Sequence, residues 1–184
     1  LDLSAADRLL IAGRAGWVYA GKLFWPTELA FIYPRWRIDP TLIGQWLYPL
    51  AAVLVLSVLW WQRSRVGRGP LSAALLFAGT LTPALGFVDI YPMQFSFVAD
   101  HFQYLASIPL LASAAWLIVT RWYATLGGAA LLILIGLSWV RGPVFLDNAN
   151  LWTDTVAKNP RSPLALTSLG NELGELGSHK FAER

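Results

Sequence analysis

Arg35 and Arg37 flank Trp36 in the run Tyr33-Pro34-Arg35-Trp36-Arg37-Ile38-Asp39-Pro40. Each guanidinium presents a planar fork of donors that matches two oxygens of a phosphate. The two prolines stiffen the loop that carries them. A second run, Asp100-His101-Phe102-Gln103-Tyr104, gathers a carboxylate, an imidazole, an amide and a phenol. Its histidine changes charge near neutral pH, so the run suits phosphate binding or proton relay. Plainer uses stand beside these. The arginines also suit contact with ordinary lipid headgroups, and Asp100 suits the positive end of a following helix. Lys22 and Glu28 are the remaining candidates, two ionisable groups in an otherwise apolar stretch. Such groups are costly in hydrocarbon and usually have a task or a partner. Cysteine is absent, and no spacing of acids and histidines suits a metal ion. Neither a P-loop, a dinucleotide fingerprint nor a nucleophile elbow occurs.

The elements that carry these residues belong to a membrane. The chain has 184 residues, 56% of them hydrophobic and only 14% charged, and a mean hydropathy of +0.50. Soluble domains carry about 25% charged residues, so this composition excludes an ordinary cytosolic enzyme and a disordered chain. The net charge of +3 comes without a long basic run, which excludes a nucleic-acid binder.

Charges delimit four uncharged windows, in which spans are predicted at Gln45–Trp61, Leu71–Val88, Tyr104–Thr120 and Ala124–Val140. The last two leave a tight turn at Arg121–Thr125. A fifth segment, Leu9–Tyr33, holds Arg14, Lys22 and Glu28 within one arc of a helix. It is read as a spanning helix with its polar stripe turned to protein, in preference to an amphipathic helix in the interface. The expected fold is all-α: a bundle of about five transmembrane helices. Arg63, Arg65 and Arg68 lie in a short turn and mark the cytoplasmic side. That places Pro34–Leu42, Asp89–His101 and everything after Arg141 together on the opposite side.

Beyond Arg141 five cations (Arg141, Lys158, Arg161, Lys180, Arg184) balance five anions (Asp147, Asp154, Glu172, Glu175, Glu183). Leu166, Leu169, Gly170, Leu173, Gly177 and Ala182 fit the first helix and turn of a tetratricopeptide repeat. Asn150–Pro160, with Trp152, fits the second half of a degenerate one. The domains are therefore residues 1–142, membrane, and 143–184, the start of a tetratricopeptide α-solenoid. About three repeats are needed to bury such a surface, so the chain is expected to be a piece of a larger protein.

Four words carry a resemblance: Ala6-Asp-Arg-Leu-Leu-Ile-Ala-Gly, Lys22-Leu-Phe-Trp-Pro, Phe31-Ile-Tyr-Pro-Arg-Trp and Phe97-Val-Ala-Asp-His-Phe-Gln-Tyr-Leu-Ala-Ser-Ile. With five membrane segments leading into repeats, the chain resembles bacterial multi-spanning tetratricopeptide-repeat proteins. Those are similar to the transmembrane and tetratricopeptide-repeat-containing O-mannosyltransferases of the type-C glycosyltransferase superfamily. The resemblance implies transfer of a sugar, mannose at family level, from a polyprenyl-phosphate donor to a protein Ser or Thr hydroxyl. The implied setting is the outer face of a bacterial inner membrane, with the repeats outside and recruiting the acceptor. The family's catalytic acids lie in its first outer loop, and no paired carboxylate of that kind occurs here, so the catalytic base is unassigned. Donor binding is expected at Arg35, Arg37, Asp100, His101 and Tyr104, with Lys22 and Glu28 as intramembrane polar groups. No cofactor is expected from these residues, and a divalent metal ion is left open without any ligand spacing to support it. The alternative is a non-catalytic, membrane-anchored repeat scaffold for envelope or secretion assemblies.

Overall fold

The computed structural model describes residues 3–120 and 124–182, and every regular element among them is helical. Arg121 and Trp122, at the expected turn, lie outside the described residues, as does the side chain of His179. Helix α1 spans Ala5–Phe24. A capping box starts it: the Asp7 N–H donates to Ser4 Oγ at 3.2 Å, and the Ser4 N–H donates to Asp7 Oδ2 at 2.9 Å. Pro26 stops it, because a residue before proline resists the helical conformation. The helix expected to continue to Tyr33 therefore ends at Phe24, and Lys22 and Glu28 do not share a helical stripe. Glu28 instead takes a left-handed conformation (φ 52°) in the loop that follows.

Three stretches are long and apolar enough to cross a membrane: Ile43–Val66, Asp100–Ile118 and Gly127–Phe145. They contain α2 (Ile43–Val66) and most of α4 (Tyr104–Thr120) and of α5 (Ala124–Arg141). Large apolar side chains such as Leu54, Leu117 and Leu132 stand exposed along them, as faces solvated by hydrocarbon do. The expected number of five is thus three. Helix α1 carries Asp7, Arg8, Arg14 and Lys22, too many charges for a span, and its Leu10, Ile11, Ala15 and Tyr19 are buried in protein. Helix α3 covers only Gly69–Leu81. At 1.5 Å per residue its 13 residues reach about 20 Å, short of a hydrocarbon core of about 30 Å. Pro83 and Gly86 (φ 95°) break the span expected at Leu71–Val88.

The core lies between α1, α3, α4 and the Gly86–Ala99 segment, around Ala15, Tyr19, Phe77, Leu81, Leu85, Val98 and Ala106. Helix α1 crosses α2 closely. A Cβ at Gly13 would stand 2.6 Å from Pro49 N and 2.7 Å from its Cδ. Arg8 ties the start of α1 to the far loop, donating to Asp89 at 2.9 and 3.1 Å and to the Gly86 carbonyl at 2.9 Å.

Helices α6 (Asn148–Lys158) and α7 (Pro163–Ala182) pack as a hairpin. Asp147 caps α6 by accepting from the Asn150 N–H at 2.7 Å. Helix α7 runs unbroken through Gly177, where a repeat would turn. One hairpin is present, and a solenoid is not shown.

Replacing Gly13 by Leu should push α1 off α2, because the atoms it meets are backbone and a proline ring. Overpacking costs about 1–3 kcal/mol, so thermal unfolding in detergent should shift down by several degrees. Gly16→Ala, with open space at its Cβ, should be neutral or stabilising, and equal midpoints for the two variants would contradict this crossing.

Candidate functional site

The loop after α1, the segment before α4 and helix α6 converge at residues 26–36, 97–104 and 152–159. Tyr33 donates to Asp100 Oδ1 at 2.7 Å. The Trp36 and Phe97 rings lie 6.0 Å apart. Phe31 meets Trp152 edge-on at 5.5 Å. Deeper in, Tyr19 Oη accepts from the Ala99 N–H at 3.2 Å.

Residues 25–33 form no helix, yet their carbonyls find donors. Lys22 Nζ donates to the Thr27 carbonyl and, at 3.2 Å, to that of Glu28. Lys158 Nζ donates to the Leu29 carbonyl at 2.6 Å, and Asn159 Nδ2 to that of Ile32 at 3.4 Å. Lys22 therefore bonds the backbone beside Glu28 rather than pairing with its carboxylate. Lys158 is aimed by Asp154, 2.8 Å away, and Asp154 also takes two 2.7 Å hydrogen bonds from Arg141 at the end of α5.

Two adjoining clefts result. The larger, of about 720 Å³, is walled by Arg14, Lys22 and Lys158 with Glu28, Tyr33 and Trp36. Three cations face one carboxylate there. The Arg14 guanidinium stacks 4.4 Å from the Trp36 ring centre, which holds its charge in place without neutralising it. The smaller, of about 320 Å³, takes in Lys22, Asp100, His101, Gln103 and Tyr104, with Phe31 and Phe145. Lys22 lines both. Chemically, the larger cleft suits an anion and the smaller a polar group beside aromatic rings.

Burial and then the bond to Asp100 hold the Tyr33 phenol above its ordinary range. It stays a neutral donor at physiological pH. Burial likewise pushes the Tyr19 phenol up to about 12, offset in part by the Ala99 hydrogen bond.

Of the expected donor-binding residues, Asp100, His101 and Tyr104 come together in the smaller cleft. Asp100 sits in a 3-10 turn, and its side chain is bonded to Tyr33 and does not cap the helix. Arg35 and Arg37 are exposed and line neither cleft: Arg35 stacks on Phe97 at 4.8 Å, and the Arg37 carbonyl accepts from Gln45 at 3.2 Å. Lys22 and Glu28 both line the larger cleft. Arg14 and Lys158 were not foreseen as site residues. Arg14 carried a signal, since it shares the polar arc of α1 with Lys22. Lys158 carried none, standing 129 positions from its partner Leu29. Among the described residues no group of acids, histidines or cysteines could hold a metal ion.

Burial raises the Asp154 carboxyl, but the bonds from Arg141 and Lys158 outweigh that and hold it below its usual value. Its contribution is complete above the unfolded carboxyl value of about 3.9 and is lost as pH falls through the folded one. Amide hydrogen exchange in α6 should therefore accelerate below about pH 4. Asp154→Ala should show that faster exchange already at pH 7, and equal exchange in both proteins at pH 7 would remove the clamp. Compared with known proteins, the chain matches no family model, and no curated protein or solved structure is similar to it.

Proposed function

We propose that this chain is part of an integral-membrane glycosyltransferase that holds a polyprenyl-phosphate-linked sugar, mannose by resemblance, at the outer face of a bacterial inner membrane. Helices α2, α4 and α5 cross the bilayer, and α1 packs against α2 and α3. The α6–α7 hairpin opens a tetratricopeptide array that recruits a protein acceptor. The observation that carries this is the convergence of Arg14, Lys22 and Lys158 on one cleft beside the ends of apolar helices. A lipid-linked phosphate needs its chain in hydrocarbon and its charge at such a rim. The four sequence words support the same reading.

In the transfer, the acceptor hydroxyl oxygen bonds to the sugar's anomeric carbon while the bond from that carbon to phosphate oxygen breaks. The polyprenyl phosphate departs with the electron pair, and the hydroxyl proton passes to a base. Charge builds on the departing phosphate, where Arg14 and Lys22 stabilise it. The described residues are assigned donor holding, and the base is left unassigned. A second reading, a non-catalytic repeat scaffold, is favoured by one observation: Lys158 and Asp154 lock the hairpin onto the membrane part.

In membranes carrying the full-length protein, transfer from a lipid-linked sugar should fall roughly tenfold or more in Arg14→Gln and Lys22→Gln, since a charge-assisted hydrogen bond contributes about 1.5–3 kcal/mol. The loss should appear in kcat/KM for the donor, with kcat falling too, because the charge they meet builds in the transition state. Arg35→Ala and Arg37→Ala, outside both clefts, should lose less. Unchanged rates in the first pair would remove the site assignment. Absence of transfer by the unaltered protein would favour the scaffold.

Topology is testable separately. Cysteine placed at Ser64 should be labelled only from the cytoplasm, and cysteine at Arg161 only from outside. Arg161 is exposed and its neighbour Ser162 is buried, so Arg161 is the usable position. Labelling of both from one side would exclude the proposed orientation.

A further inference from the structure

At the opposite end of α2 a different site is built. Between Asp39 and Asp89 the chain has no acidic residue, and its only charges there are Arg63, Arg65 and Arg68. All three are exposed: Arg63 and Arg65 in the last turn of α2, and Arg68 just past Gly67 (φ 94°) at the start of α3. Arg63 folds back over Trp60, 4.1 Å from the ring centre, and donates to the Trp60 carbonyl at 2.7 Å. Among the described residues no carboxylate forms an ion pair with any of the three.

Along the middle of α2 lies a groove of about 280 Å³ with no charged residue in its wall. Gly16, Ala52, Ala74 and Ala78 are among its lining and leave it open, and Phe24 in its wall is 64% exposed. Leu56, in its wall, is seven positions before Arg63, or about 10 Å along α2. One leaflet is about 15 Å deep, half of the hydrocarbon core. A headgroup at the arginines therefore places its chain beside the groove.

We propose that the Arg63-Arg65-Arg68 turn and the groove between α1, α2, α3 and α4 form one site for an anionic diacyl phospholipid. The guanidinium forks take the phosphate oxygens and one acyl chain fills the groove. The unpaired positive charge of the turn selects the anionic headgroup. The small residues that keep the groove open select a flexible chain over a side chain of the protein itself. This site does not rest on the transfer reaction: the arginines stand at the end of α2 away from the proposed clefts, and the groove lies along the middle of α2, on α1 residues that alternate with those of the larger cleft.

The test is lipid retention by the purified full-length protein reconstituted with equal phosphatidylglycerol and phosphatidylcholine, read by native mass spectrometry. Phosphatidylglycerol should be retained about tenfold over phosphatidylcholine. Replacing all three arginines by Gln should abolish that preference while leaving bound lipid of either kind. Single R65Q and R68Q variants, which keep two of the three charges for insertion, should each reduce it. Gly16→Leu, with open space at its Cβ, should fill the groove and lower retention of both lipids. Equal retention of the two lipids by the unaltered protein, or a preference that survives the triple substitution, would overturn the headgroup site. Undiminished retention in Gly16→Leu would overturn the groove.

Discussion

Backbone that leaves a helix at a membrane face must still satisfy its carbonyls, because the neighbouring hydrocarbon offers no donors. Four carbonyls of residues 25–33 meet that demand with side chains from two directions. Lys22 reaches forward from α1, and Lys158 and Asn159 reach across from α6. The left-handed Glu28, a conformation that costs a non-glycine residue about 1–2 kcal/mol, sits inside this set of bonds. Without those donors the loop has no fixed path, and neither cleft has a wall.

The same solution places charge. Ammonium groups are recruited because each offers three donors, and each brings a positive charge that a carbonyl does not cancel. Lys158 is partly balanced by Asp154, which is itself shared with Arg141. Lys22 bonds carbonyls, and Arg14 rests on an indole face. A structural need for donors thus leaves net positive potential in a cleft at the rim of apolar helices. An anion-binding site there requires little beyond what already holds the loop.

Much of the scaffold was legible because charge and hydrocarbon exclude one another. Arg121 and the polar residues before Tyr104 bound α4, and the helix covers the expected Tyr104–Thr120. Helix α5 exceeds its expected range by one residue, Arg141, which Asp154 neutralises. Local backbone chemistry decided the failures. Trp25-Pro26 ends α1 before its apolar pattern does, and Pro83 with Gly86 ends α3 inside an uncharged window. Hydropathy counts both stretches as spans, since it registers composition and not the carbonyls that proline strands. Gly177 fits a repeat turn, yet α7 continues through it, because one glycine lowers helix propensity by only about 1 kcal/mol.

The site was half legible for a different reason. Asp100, His101 and Tyr104 are neighbours in sequence, so their grouping needed no tertiary information. Arg35 and Arg37 are neighbours too, but Trp36 between them turns inward against Arg14 and Phe97, leaving the arginines exposed beside it. Trp36 is partly buried against Phe97, Arg35 stacks on the same ring, and neither guanidinium lines a cleft. The cation that replaces them, Arg14, is recruited by that same indole. Trp36 therefore holds Arg14, and neither of its own neighbours, at the cleft.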